Sequence, residues 1–106
     1  MQDKVLIAVQ RKRRLGDRLI FIALTRFKGK PTKDGVAKAG KLFDQMVKDG
    51  AKIIGQYWTL GRYDSVAIVE GKDEKAALKS LMRFGDLVST ETLVAVTREE
   101  AVKLVE

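Results

Sequence analysis

The chain has no cysteine, no histidine and no asparagine, and only one proline, Pro31, in its 106 residues. The lack of cysteine excludes a disulfide framework, thiol catalysis and thiolate-ligated metals. The lack of histidine removes the commonest neutral-pH base and the commonest metal ligand. The lack of asparagine is a weak sign of selection against heat-labile residues. No apolar run approaches the ~18 residues that span a membrane. Leu19–Leu24 follows a basic stretch but is shorter than the ~7–15 apolar residues of a secretory h-region. It also ends at Thr25 and Arg26 with no small-residue cleavage site, so a cytoplasmic location is expected.

What remains is a chain that is 45% hydrophobic and 33% charged, a composition that suits one folded domain rather than a disordered chain. At this length, folding removes roughly 65% of the extended chain's surface from water, enough for one real core. The formal net charge is +7, and +4 of it lies in residues 1–18, where six basic side chains oppose Asp3 and Asp17. Residues 1–18 are therefore expected to be a basic N-terminal extension, partly disordered or upstream of the native start. The single domain is expected over 19–106. Arg11, Lys12, Arg13 and Arg14 make the extension a candidate for attracting phosphate backbones.

Residues 19–27 are β-branched and aromatic without a helical period, which predicts a strand. Val36, Ala39, Gly40, Phe43, Met46 and Val47 recur at steps of three and four, which predicts an amphipathic helix. Thr32 or Asp34 would cap its start, and Gly50 suits the left-handed position past its end. Strands are expected over 51–60 and 63–70, joined at Gly61-Arg62 as a hairpin and broken at Gly71. Asp73 would cap a second helix to about Phe84, before a strand over 88–96 and a short helix or turn over 98–105.

Two strand–helix–strand units with right-handed crossovers predict the ferredoxin-like βαββαβ fold, an α+β class. It has a four-stranded antiparallel sheet with both helices on one face. The other face would be bare, yet Leu19–Leu24 and Val66–Val69 are apolar at both alternating sets of positions. A face with ~600 Å² of apolar area contributes roughly 15 kcal/mol at ~25 cal/mol/Å². That exceeds or matches the ~4–15 kcal/mol cost of association. The apolar run Val5–Val9 would cover one strand's width at most. A homodimer or higher homo-oligomer through the sheet face is therefore expected.

Gly61-Arg62-Tyr63-Asp64 is the most informative stretch. The turn explains Gly61, and Asp64 would pair with Arg62 or accept turn amides. A functional reading has Arg62, Tyr63 and Asp64 at a cavity mouth, orienting an anionic or aromatic ligand. Tyr57 and Trp58 are neighbours on a strand and must face opposite ways, one into the helix-side core and one to the sheet interface. Trp58 as a base-stacking platform would need a basic surround, and Lys52 is the only basic residue near it on that strand. Glu70 and Glu91 are carboxylates on apolar strands and need a cationic partner or water. Glu91 would act as a general base if burial raised its pKa. The ligand-binding candidates are thus Trp58, Arg62, Tyr63, Asp64 and Glu91. No catalytic triad, phosphate-binding glycine loop or metal-ligand cluster is present, so no cofactor or metal is expected.

The segment Gly55-Gln56-Tyr57-Trp58-Thr59-Leu60-Gly61-Arg62-Tyr63-Asp64 resembles the signature of the GYD-domain family, small proteins named for a Gly-x-Tyr-Asp stretch. Thr90-Glu91-Thr92-Leu93 followed by Thr97-Arg98-Glu99-Glu100 is similar to that family's closing segment. The resemblance runs from about Leu19 to Val105 and leaves out residues 1–18. It implies a ferredoxin-like subunit of the dimeric α/β-barrel type and no particular reaction. The basic extension and the Lys-rich first helix depart from the family pattern.

Three functions stay open at this point. The first is a non-catalytic oligomer that binds a small molecule or serves in assembly. The second is a cofactor-independent oxygenase or isomerase using Tyr63, Asp64 or Glu91 inside each subunit's cavity. The third is nucleic-acid binding through Arg11–Arg14, ranked last because charge alone is non-specific.

Overall fold

A computed structural model describes residues 18–105. The basic extension, Arg18 apart, lies outside the described residues. Strand β1 (Leu19–Phe27) leads into helix α1 (Lys33–Lys48), the pair β2 (Lys52–Trp58) and β3 (Ser65–Gly71), helix α2 (Glu74–Arg83), strand β4 (Val88–Ala95) and short helix α3 (Arg98–Lys103). The sheet order is β2-β3-β1-β4, antiparallel throughout. This is the expected ferredoxin-like βαββαβ arrangement.

Local chemistry sets the helix ends. The Thr32 hydroxyl accepts the Gly35 N–H at 3.0 Å and caps α1. At the other end, Gly50 N–H donates to the Val47 carbonyl and Ala51 N–H to the Met46 carbonyl, both at 3.0 Å. Gly50 takes the left-handed φ of 105° that this reversal needs. The Asp73 carboxylate caps α2 by accepting Ala76 N–H at 2.8 Å, and Thr97 caps α3.

Two boundaries differ from the expected ones. Gly71 stays in β3 because Leu19 pairs with it across the ladder. The β2–β3 connection is a six-residue loop, Thr59–Asp64, because Asp64 N–H leaves the hairpin and donates to the Thr25 carbonyl of β1 at 2.8 Å.

Alternation along the strands sorts the two faces. Phe21, Ala23 and Thr25 of β1 and Ala67 of β3 are buried on the helix side, with Met46 and Phe84 from above. Phe43 tilts against Phe84 with ring centroids 4.9 Å apart. The other face carries Ile20, Ile22 and Leu24 beside Val66, Ile68 and Leu93. Helices α1 and α2 lie opposite, and α3 makes no substantial contact with the sheet. Among the described residues nothing covers the second apolar face, with Leu93 45% and Tyr57 59% exposed. Glu70 finds its cation in Arg18, Nε to Oε1 3.1 Å, and Arg18 Nη2 also donates to the carbonyls of Gly50 and Glu70. One arginine thereby fastens the start of β1 to β3 and to the α1–β2 turn.

Candidate functional site

Two concavities lie on opposite sides of the sheet. The larger is a partly open cavity of about 890 Å³ between the sheet and helices α1 and α2. Its origin is the size of the facing side chains. The sheet offers Ala23, Thr25, Ser65 and Ala67, and the helices answer with Ala39, Gly40, Ala76, Ala77 and Ser80. Small residues on both walls leave a gap that a close-packed interior would fill. The volume falls within the ~300–1,000 Å³ range of ligand pockets.

The register fixes the chemistry of the cavity floor. Trp58, Ser65, Thr25 and Thr90 stand opposite one another in one row across the four strands. The Thr25 and Ser65 hydroxyls are hydrogen-bonded to each other. Gln56, Ala67, Ala23 and Thr92 form the next row. Thr92 Oγ1 is buried with no hydrogen-bond partner, although Thr92 borders the cavity. Trp58 borders the cavity on the helix side, its ring edge-on to Phe27 at 5.1 Å between centroids, but at 65% exposure it stays at the edge of the sheet instead of entering the core as expected. The lining is therefore mainly apolar and aromatic with a few hydroxyls on the sheet floor, and it also takes in charged residues such as Lys28, Asp49, Lys72 and Lys79.

The smaller concavity is a cleft of about 230 Å³ on the open face, bounded by Leu24, Arg26, Arg62, Tyr63, Ser89, Thr90 and Glu91. The β2–β3 loop builds it. Gly61 adopts φ 99°, which an L side chain rarely takes, and turns the chain back toward the sheet. Thr59 then ties the loop shut, its N–H donating to the Asp64 carbonyl at 2.9 Å and its hydroxyl to the Tyr63 carbonyl at 2.6 Å. Asp64 fastens the loop to β1, its carboxylate accepting Phe27 N–H at 2.8 Å. The Tyr63 hydroxyl donates to Glu91 Oε2 at 2.5 Å. That bond to the carboxylate holds the Tyr63 pKa above its ordinary value; burial and the Glu91 charge add to the shift, and the Arg62 and Arg26 charges oppose it. Arg26 and Arg62 place their guanidinium carbons 5.7 and 5.8 Å from the Tyr63 ring centroid. Arg26 Nε donates to the Arg62 carbonyl at 3.0 Å.

The sequence candidates therefore separate. Arg62, Tyr63 and Glu91 meet in the cleft; Trp58 borders the cavity on the other side of the sheet. Asp64 binds a backbone amide instead of pairing with Arg62. Glu91 meets a phenol instead of a cation. Arg11, Lys12, Arg13 and Arg14 lie outside the described residues. Arg26, Thr92 and the Thr25–Ser65 pair emerge from the strand register. Among the described residues no cluster of three or more acidic side chains could hold a metal ion, and no helix is long and apolar enough to cross a membrane.

Comparison with solved structures finds chains of similar fold. B. subtilis LrpC matches with a TM-score of 0.56 at 12% identity, over 76% of this chain and 51% of that one. An AsnC family transcriptional regulator from Agrobacterium tumefaciens matches with a TM-score of 0.50 at 13% identity, over 92% and 67%. SnoaB, a cofactor-independent oxygenase from Streptomyces nogalater, gives a TM-score of 0.46 at 14% identity, over 76% and 93%. The chain spans about half the length of LrpC, and at these identities the likeness concerns the fold alone. The GYD-domain model matches residues 19–105, and the chain belongs to that family. No curated protein matches the chain in sequence.

Proposed function

We propose that the protein is a homodimer, joined sheet face to sheet face, whose subunits each bind a small, largely apolar molecule between the helices and the sheet. The observation that carries this reading is the partly open cavity of about 890 Å³, lined over the sheet by small residues, flanked by Phe21, Phe43, Met46 and Phe84, and bordered by Trp58. An apolar gap of this size is a standing loss of packing contacts that a ligand would recover. The dimer follows from the open apolar face, since a patch of that extent on a lone subunit is an association site or an aggregation hazard. In this reading residues 19–106 form the binding domain, and residues 1–18 are an appendage it does not require.

The reading is of binding rather than catalysis. Tyr63 and Glu91 open on the face opposite the cavity, and Asp64 is engaged by β1. On the sheet floor a cavity-bound molecule meets hydroxyls, the Gln56 amide and an indole, groups that orient a ligand, while lysine and aspartate residues such as Lys28, Lys79, Asp49 and Asp73 also border the space.

Trp58 is the only tryptophan, so its emission reports the cavity directly. Titration with a flat apolar probe such as 1-naphthol is expected to change that emission saturably, with one site per subunit. The same result is expected from a chain lacking residues 1–18. An emission unaffected by the probe, or altered without saturation, would refute the cavity as a binding site.

A further inference from the structure

We propose that the cleft on the open face is a separate binding site for a small oxyanion, a carboxylate or phosphate group, gripped by Arg26 and Arg62. The two guanidiniums flank one ring, 5.7 and 5.8 Å from the Tyr63 centroid, yet neither forms an ion pair among the described residues. The nearby carboxylate is taken up elsewhere, because Glu91 accepts the Tyr63 phenol proton. Arg26 is held by its Nε alone, through the Arg62 carbonyl, so its terminal nitrogens are free to address a planar anion in two-point fashion. The Ser89 hydroxyl borders the same space, and about 230 Å³ suits a phosphate or carboxylate group.

The arrangement is built rather than incidental. Arg62 sits on a loop closed by Thr59 and clamped to β1 by Asp64, so one guanidinium is carried on a fixed support. Arg26 projects from β1 beside Ser89 of β4, its direct partner in the ladder. Arg26 from β1 and Arg62 from the β2–β3 loop thus bring two positive groups to the border of one cleft, where they can address the same anion. Glu91 at the rim is a counterweight, since its charge disfavours a second anion and limits affinity.

The test is calorimetric titration of the full chain with inorganic phosphate at fixed ionic strength. Saturable binding is expected, weakened about 10-fold or more in Arg26→Gln and in Arg62→Gln, the scale of a lost charge-assisted hydrogen bond. Lys103→Gln, which removes the same charge from α3, is expected to leave binding unchanged. Glu91→Gln is expected to tighten binding roughly threefold or more by removing a repulsive charge within the cleft. Equal weakening by all three basic substitutions would reduce the effect to net charge and overturn the proposal. Absence of saturable binding, or weaker binding in Glu91→Gln, would overturn it as well. A dimer that loosens in Arg26→Gln while phosphate fails to bind would assign the guanidiniums to the second copy, again against the proposal. Because the cleft and the cavity lie on opposite faces, failure here leaves the Trp58 titration unaffected.

Discussion

Ala67 lies in the middle of the sheet floor, buried at 8% relative exposure, and its methyl group faces the cavity. In a close-packed core, Ala→Leu at such a site forces side chains off their rotamers and costs about 1–3 kcal/mol. Here the three added carbons enter space that is already empty. At about 0.8 kcal/mol per buried carbon the ceiling is about 2.4 kcal/mol of added stability, and about 1–2 kcal/mol is expected once lost rotamer freedom is counted. The sign is therefore reversed relative to an ordinary core position. Urea unfolding of Ala67→Leu should show a higher midpoint at unchanged slope, and Tm should rise by roughly 5–10 °C. The same substitution should weaken 1-naphthol binding, because protein and probe compete for one volume. Loss of 1 kcal/mol or more would mean that the helices close on the sheet in solution and that there is no cavity.

Three further outcomes follow from the geometry. Thr92→Val removes a buried hydroxyl with no partner, so the free protein should gain up to about 1 kcal/mol in urea unfolding. Gly61→Ala forces a side chain into φ 99° and should cost about 1–2 kcal/mol, read as a fall in Tm of several degrees. Tyr63 has its folded pKa raised by Glu91, so its contribution to stability is full below the unfolded tyrosine value. It is then lost as pH rises through the folded value, and Tyr63→Phe should flatten that alkaline decline in a stability–pH profile.

The order of elements was legible because each carried its own local signal. The stripe from Val36 to Val47 marked α1, Asp73 and the choice of Thr32 or Asp34 (the structure uses Thr32) marked helix starts, and the positive φ at Gly61 followed from the turn. The two-sided apolarity of β1 and β3 likewise announced an open second face. What could not be read was anything that depends on which small residue faces which. Ala23 and Ala67 of the sheet and Ala39 and Ala77 of the helices border one cavity, a juxtaposition that periodicity within one element does not reveal. For Asp64 the sequence offered a local ion pair with Arg62 or local turn amides; its carboxylate does accept an amide, but that of Phe27, 37 residues away. Arg26 joined the cleft for the same reason, placed beside Ser89 by strand pairing rather than by any motif.

That two copies cover each other's open sheet face is tested most directly by isotope-filtered NMR on dimers mixed from labelled and unlabelled chains. Intermolecular contacts are predicted among the methyl groups of Ile20, Ile22, Ile68 and Leu93. A monomer at micromolar concentration would contradict the proposed pairing. So would a dimer whose intermolecular contacts fall on the outer faces of α1 and α2.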